Sequence, residues 1–211
     1  NKDLQQDPNI DGLREEDAYP AMPEDGYGWE KLFSERMCRH FTEDFGLETR
    51  VVRYHNVYGP VGTYDGGREK APAALCRKVI SAKINNLKSI DVWGDGKQTR
   101  SFMYIDDCLD GTEKVFNSDK RDVYNVGSSE QVSINQMIDM IENIAGIKLN
   151  RNYQLDKPKG VRGRSSDNEK IENDINWSPK IDLRSGLEKT YSWIFNQINS
   201  GSNLKKFTRS Y

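Results

Sequence analysis

The chain has 211 residues, which suits one domain or two small intergrown ones. Its 31 basic and 33 acidic residues leave a net charge of −2, so we expect neither a nucleic acid nor a membrane surface as a partner. Three cysteines without a Cys-x-x-Cys pair, together with only two histidines, argue against a metal site and favour reduced thiols in the cytoplasm.

The first half of the chain predicts a loop followed by helices and a strand. Residues 1–24 are polar and proline-rich, so they are predicted to form a loop. Apolar side chains then recur at helical spacing, and Gly46 is placed to end the helix. The predicted elements are a helix at 25–45, a strand at 49–54, a turn at 56–60, a flexible loop at 62–67 and a helix at 71–85.

The second half alternates short strands with helices. Asp106 and Asp107 are predicted to cap one helix, and Ser133 with Gln136 fits a capping box for another that ends at Gly146. Residues 166–169 fit a second capping box. Strands are predicted at 90–93, 101–105 and 123–126, and helices at 106–116, 134–145 and 183–198; this alternation predicts an α/β fold.

Tyr27 and Lys31 form a Tyr-x-x-x-Lys pattern near the start of the first predicted helix. A spacing of four places both side chains on one helix face. An ammonium beside a phenol favours the phenolate, which can take a proton from a substrate hydroxyl while hydride leaves its carbon. The same spacing also fits an ordinary exposed lysine beside a half-buried tyrosine. Tyr153 and Lys157 match the pattern too, but Pro158 follows and no helix signal surrounds them.

An ordered set of segments runs through almost the whole chain from this pattern to the last helix. Its members are Arg53–Pro60, Arg100–Asp107, Tyr124–Ser128 and Trp177–Pro179. The set resembles the extended short-chain dehydrogenases/reductases that act on nucleotide sugars. The resemblance implies NAD as cofactor, with Tyr27 and Lys31 as catalytic and cofactor-binding residues.

The resemblance also implies the domain organisation. The expected fold is the C-terminal part of a Rossmann-type α/β domain with an intergrown smaller α/β substrate domain. Residues 1–57 and 103–118 are assigned to the NAD-binding domain, and residues 58–102 and 119–211 to the nucleotide-sugar domain. Because no Gly-x-Gly-x-x-Gly loop occurs, we expect either a part of a longer protein or an N-terminal half supplied separately. The chain alone is then expected neither to hold NAD tightly nor to turn over substrate.

Four further segments narrow the resemblance to the GDP-mannose 3,5-epimerases: Gly66–Ala74, Cys76–Lys78, Trp93–Phe102 and Gly160–Asn168. The implied reaction oxidises the mannose C4 hydroxyl, inverts C3 and C5 beside the resulting ketone, and reduces C4 again to give GDP-L-galactose. One proton-transfer group is implied to be Lys70. The other, a cysteine of a Ser-x-Cys segment, would precede Asn1, so none of the three cysteines inherits its role.

The same resemblance implies the residues that bind the GDP-sugar and a homodimer built on the Tyr27–Lys31 helix. Arginine forks and lysine charges suit the diphosphate. The implied substrate-binding residues are Asn56, Glu69, Lys70, Ala71, Lys78, Gln98, Thr99, Arg100 and Arg164.

Two other interpretations remain open at the level of sequence. A sister enzyme, such as a nucleotide-sugar 4-epimerase or 4,6-dehydratase, would need the Tyr/Lys chemistry but not Lys70. A non-catalytic sugar-nucleotide-binding fragment would need neither, and the absent glycine-rich loop favours it. The product also stays open between GDP-L-galactose and a C5-only epimer.

Overall fold

The computed structural model describes residues 3–4, 7, 10–23, 25–157 and 165–201. The chain divides into two compact units. The first unit comprises residues 1–57, 100–131 and 161–180, and the second comprises residues 58–99, 132–160 and 181–211. The helices are α1 (Gly26–Phe45), α2 (Ala71–Ile84), α3 (Ile105–Asn117), α4 (Ile134–Ala145), α5 (Glu169–Ile175) and α6 (Leu183–Asn199), with a short 3-10 helix at Glu16–Ala18.

The strands are short and two pairs of them run parallel within a unit. They are β1 (Val51–Tyr54), β2 (Val57–Tyr58), β3 (Ser89–Trp93), β4 (Thr99–Ser101), β5 (Met103–Tyr104), β6 (Val123–Val126), β7 (Gln131–Ser133) and β8 (Asn150–Gln154). Together with the helices they confirm the predicted α/β class.

The first unit is built around β1 and β6. These strands pair in parallel, in a register that sets Val51 against Val123 and Tyr54 against Val126. Helices α3 and α5 pack on this pair. The core consists of apolar side chains from the strands, from both helices and from the segment behind α5: Met103, Cys108, Val115, Tyr124, Val126, Ile171 and Trp177.

The second unit packs three helices against one another, α2, α4 and α6, beside the parallel pair β3 and β8. Both α4 and α6 contribute fully buried aliphatic side chains at helical spacing. The fully buried residues include Val79, Ile80, Met137, Ile138, Ile141, Leu187 and Ile194. This core holds the start of α2 in place, which matters for the candidate site.

The two units differ from the predicted domain bounds. Residues 100–102, 119–131 and 161–180, predicted to belong to the nucleotide-sugar part, lie in the first unit. The reason is that β6 pairs with β1 and α5 packs on β6. The functional assignment of each part stays a prediction.

Two predicted helix caps were wrong. Helix α3 begins directly behind β5, so Tyr104 takes the capping position and Asp106 and Asp107 fall in the first turn. Helix α5 has Asn168 as its N-cap without a side-chain cap, because the Asn168 Oδ1 atom instead accepts a hydrogen bond from the Ser166 hydroxyl at 2.7 Å. The capping box of Ser133 and Gln136 is confirmed.

Sequence patterns missed β2, β7 and β8, and they indicated α5 only by a capping box at its start. Strand β8 reads Asn-Arg-Asn-Tyr-Gln, a polar run with no alternation of apolar side chains, and most of it is exposed or half-buried. Its pairing with β3 is therefore a tertiary outcome. No helix among the described residues is both long enough and apolar enough to cross a membrane.

Candidate active site

Polar side chains gather in the first unit where β1 and β6 end. Open parallel sheets bind ligands outside the carboxyl ends of their strands. Asn56 follows β1 with φ +46°, a left-handed conformation that asparagine tolerates, and its amide donates to the Ser101 carbonyl at 3.1 Å. The neighbouring His55 Nε2 lies 3.3 Å from Oδ1 of the buried Asn125, which belongs to β6. Asn56 is thus fixed at the edge where a ligand is expected.

Tyr27 and Lys31 lie on one face of α1, as their spacing predicts. The helix begins behind Asp25, whose carboxylate accepts a hydrogen bond from the Gly28 N–H at 2.9 Å. The Lys31 ammonium lies over the Tyr27 ring, 5.2 Å from its centroid, and Tyr27 is 68% exposed. The pair is therefore open to a ligand.

The Lys31 ammonium does not donate its hydrogen bond to the Tyr27 phenol. It donates to the Glu30 carboxylate at 2.8 Å, and this bond raises the pKa of Lys31, so the side chain stays cationic. Tyr153, the tyrosine of the second matching pattern, lies in strand β8, so the helical arrangement does not exist there.

Lys70 lies in the second unit, at the N-cap position of α2. It is exposed, and its ammonium makes no hydrogen bond or ion pair with any residue that the structure describes. Ala71 and Pro72 form the first helical residues, and the proline fixes a backbone angle that suits a helix start. A lysine held at the beginning of a well-packed helix can place a proton donor or acceptor reproducibly.

Lys78 and Gln98 also lie in the second unit. The Lys78 ammonium donates to the Asp91 carbonyl at 2.8 Å, and its pKa is lowered, first by burial and then by the charge of Arg77. The Gln98 amide donates to the Trp93 carbonyl at 3.2 Å. Its buried Oε1 accepts no hydrogen bond from any described residue.

The predicted site residues are therefore distributed over both units. Thr99 and Arg100 are half-buried in β4, which contains the boundary between the units. Arg164 lies outside the described residues. Of the others, Tyr27, Lys31 and Asn56 belong to the first unit, and Glu69, Lys70, Ala71, Lys78 and Gln98 to the second.

The cysteines form no part of a reactive cluster. Burial raises the pKa of Cys76 to about 12 and also raises the pKa of Cys108. Both therefore stay protonated thiols inside the packing. No group of metal-ligating side chains occurs within the described parts of the chain.

One residue that sequence patterns did not single out is Arg77. Its guanidinium, on α2, contacts the loop that precedes Lys70, where it meets the carboxylate of Glu69 at 3.2 Å. The spacing of eight residues between an acid in a loop and an arginine in the following helix is a weak signal by itself. Only the structure shows the pair to be formed.

These features, a parallel αβ unit with an open Tyr/Lys pair and polar residues at its strand ends, define a dinucleotide-dependent enzyme scaffold. Comparison with known sequences agrees with this class. The chain belongs to the NAD dependent epimerase/dehydratase family, whose sequence pattern matches residues 5–127.

The relatives within the family point to nucleotide sugars. GDP-mannose 3,5-epimerase of Arabidopsis thaliana is 48% identical over 186 residues, which cover 88% of this chain and 48% of that protein. Among solved structures, a UDP-N-acetylglucosamine 4-epimerase from Methanobrevibacter ruminantium superposes with a TM-score of 0.79 at 25% identity, covering 91% of this chain and 59% of that one. A UDP-glucuronic acid 4-epimerase from Bacillus cereus, solved with UDP-glucuronic acid and NAD, has a TM-score of 0.74 at 29% identity, covering 92% and 59%. The chain thus spans about half the length of the relatives it matches.

The described residues fit one side of a dinucleotide site. Tyr27 and Lys31 share an exposed face of α1 and suit the reactive end of NAD. A glycine-rich phosphate loop, which would hold the pyrophosphate, does not occur in the 211 residues. The chain therefore lacks the usual anchor for the pyrophosphate of NAD, and the cofactor contacts of Tyr27 and Lys31 stay predictions.

Proposed function

We propose that the protein containing this chain epimerises GDP-mannose at C3 and C5 to GDP-L-galactose through a 4-keto sugar. The observation that carries the proposal is the 48% identity to GDP-mannose 3,5-epimerase, which extends over 88% of the chain. The exposed Tyr27–Lys31 pair and the exposed ammonium of Lys70 supply groups of the right kind for the two chemistries that this reaction needs.

The first chemistry is oxidation and later reduction at C4. Tyr27 takes the proton of the C4 hydroxyl as the carbon loses hydride, and returns it at the end. NAD, when bound, accepts that hydride and gives it back. The cationic Lys31 stabilises the tyrosinate, for which it leaves the Glu30 carboxylate that it contacts here.

The second chemistry is proton exchange at C3 and C5. A ketone at C4 acidifies both neighbouring C–H bonds, because the electron pair left behind is delocalised as an enolate. Inversion needs a proton removed from one face of the ring and another delivered to the opposite face. Lys70 serves one face, and its position at the start of α2 keeps its ammonium clear of internal partners among the described residues.

The remaining residues bind the nucleotide sugar. Lys78 and Arg100 provide positive charge for the diphosphate, and Arg164 is assigned to it by similarity. The Gln98 Oε1 atom can accept a hydrogen bond from a hydroxyl of the substrate. Asn56 contacts the nucleotide sugar from the strand-end edge of the first unit.

The test is to incubate the complete gene product with GDP-mannose and NAD in deuterated water, and to measure sugar identity and deuterium content. We expect deuterium at C3 and C5 with GDP-L-galactose formed. Lys70→Met should abolish exchange at C5 while C4 oxidation is retained. Lys88→Met, which changes an exposed lysine in the loop before β3, serves as the matched control and should leave exchange unchanged.

The outcomes separate the alternatives. Formation of a C4 epimer without deuterium, unaffected by Lys70→Met, would replace the proposal with a 4-epimerase. Exchange at C5 alone would make the product the C5 epimer. Neither conversion nor exchange would leave a binding protein or another nucleotide sugar as the better explanation.

We also propose a cytoplasmic homodimer that uses α1. Phe33, Met37, Phe41 and Phe45 are exposed on this helix, and none of its residues is buried in the chain. A second copy would cover such an apolar surface symmetrically. Light scattering of the complete gene product at the mass of one protomer would contradict the dimer, and cell fractionation tests the location.

A further inference from the structure

The loop before Lys70 has little intrinsic rigidity. Gly66 and Gly67 have φ values of +100° and +85°, a region that glycine enters freely. A Cβ added at either glycine would meet no heavy atom within 4 Å among the described residues. Packing of these glycines therefore does not restrain the loop, and other contacts must define its course into Lys70.

The Arg77 guanidinium supplies those contacts from the second turn of α2. Its Nε donates to the Tyr64 carbonyl at 2.8 Å, at the start of the loop. Its Nη2 donates to Glu69 Oε1 at 3.2 Å, at the end of the loop. The same guanidinium lies 3.6 Å from the Asp65 carboxylate. One side chain thus ties both ends of the loop to α2.

Glu69 completes the arrangement from inside the loop. Its second carboxylate oxygen, Oε2, accepts a hydrogen bond from the Gly67 N–H at 2.7 Å. The Glu69 side chain is only 9% exposed, so both oxygens are used internally. A buried carboxylate that accepts two hydrogen bonds is costly to leave unpaired. The pair with Arg77 is therefore a strong restraint on the loop.

Helix α2 itself is a firm base for the restraint. It buries Leu75, Cys76, Val79 and Ile80 in the core of the second unit, so the backbone at Arg77 is fixed. Lys70 follows Glu69 directly in the chain. The position of its ammonium therefore depends on where the Arg77–Glu69 pair holds the loop.

We propose that Arg77 is a positioning residue for proton transfer by Lys70, acting through Glu69. The inference rests on the proposed function and deepens it. It also assigns the Glu69 carboxylate to the loop, while substrate contacts at that position fall to backbone atoms.

The first experiment measures loop order without any substrate. Amide hydrogen exchange of the complete gene product, read on peptides covering residues 62–70, should be faster in Arg77→Ala and in Glu69→Gln than in the wild type. Amide exchange within α2 itself should be unchanged in both variants. Arg184→Ala breaks the exposed Arg184–Glu188 pair of α6, 3.2 Å long, and as the matched control should leave the loop unaffected.

The second experiment separates the two chemistries. In deuterated water with GDP-mannose, Arg77→Ala should lower kcat for C5 exchange by about 100-fold, the loss expected when a catalytic group is displaced by about 1 Å. C4 oxidation and KM should change little. Arg77→Lys keeps the charge but not the fork that reaches two partners, so we expect partial rescue.

The outcomes keep this inference distinct from the proposed function. If the wild type shows no C5 exchange, the function fails, and amide exchange still tests the restraint. Unchanged loop exchange in both Arg77→Ala and Glu69→Gln would overturn the inference. So would an equal loss of C4 oxidation and C5 exchange in Arg77→Ala with intact secondary structure.

Discussion

Helix α1 contains Tyr27 and Lys31, and helix α2 begins directly behind Lys70. Contacts of opposite kinds, polar and apolar, hold these two helices in place. Helix α2 buries seven residues in an apolar core shared with α4 and α6. Helix α1 buries none. It is attached to the rest of the unit by polar contacts, chiefly a bidentate ion pair in which Arg53 donates to both oxygens of Glu35 at 3.0 and 2.6 Å.

Because of this difference, we expect α1 and α2 to respond differently to salt and pH and to differ in how readily they open locally. Apolar packing has no charges for salt to screen or for pH to titrate, and it resists local opening. A helix held by polar contacts opens more readily. The apolar side chains of α1 are also left exposed by the described parts of the chain. Tyr27 and Lys31 thus lie on the more adaptable helix and Lys70 on the more rigid one.

The largest expected effect contrasts one buried with one exposed apolar residue. Ile80→Ala in α2 should lower the free energy of unfolding of the 211-residue chain by about 2–5 kcal/mol, because Ile80 is fully buried. Phe33→Ala in α1 should cost less than about 0.5 kcal/mol in the monomeric chain, since Phe33 is 65% exposed there. Urea unfolding followed by circular dichroism measures both, and equal costs would remove the contrast between the helices.

The next effect tests the polar attachment of α1. Glu35→Ala leaves the half-buried Arg53 guanidinium without its carboxylate, and should cost about 1.5–3 kcal/mol. The control is Arg39→Ala, which breaks the exposed Arg39–Glu43 pair on the same helix and should cost much less, because solvent screens that pair. Amide exchange should be faster throughout α1 in the first variant alone. Similar exchange in both variants would mean that other contacts hold the helix.

The smallest effect concerns a surface ion pair of the second unit. The Lys148 ammonium bonds Asp139 at 2.8 Å and, with Arg151, lowers the pKa of that carboxyl. Because the folded pKa is the lower one, the stabilisation is present above pH ~4 and is lost as the pH falls through the lowered pKa. Asp139 is half exposed, so the contribution should stay below about 1 kcal/mol.

The measurement is urea unfolding of the wild type and Asp139→Asn at pH 7 and at pH 3. The variant should be slightly less stable at pH 7, and the difference from the wild type should be smaller at pH 3. A difference of the same size at both pH values would show that the asparagine acts by something other than charge.

Much of the fold followed from local patterns. Apolar side chains at helical spacing predicted α1, α2, α4 and α6 closely, because their periodicity reflects one buried or amphipathic face. The Ser133 capping box was readable because it involves residues three apart in sequence. Strand β8 was not, because its polar side chains carry no sign of the partner β3 that forms it.

The sequence by itself determined the α/β class and the Tyr27–Lys31 face, since these depend on periodicity and short spacing, and its family resemblance made Lys70 a candidate. Only the tertiary structure decided that α1 has no buried side chain, that Lys31 bonds Glu30, and that Arg77 ties down the loop before Lys70. The physical reason is that burial and ion pairing depend on which segments meet in space, and a linear pattern does not record that.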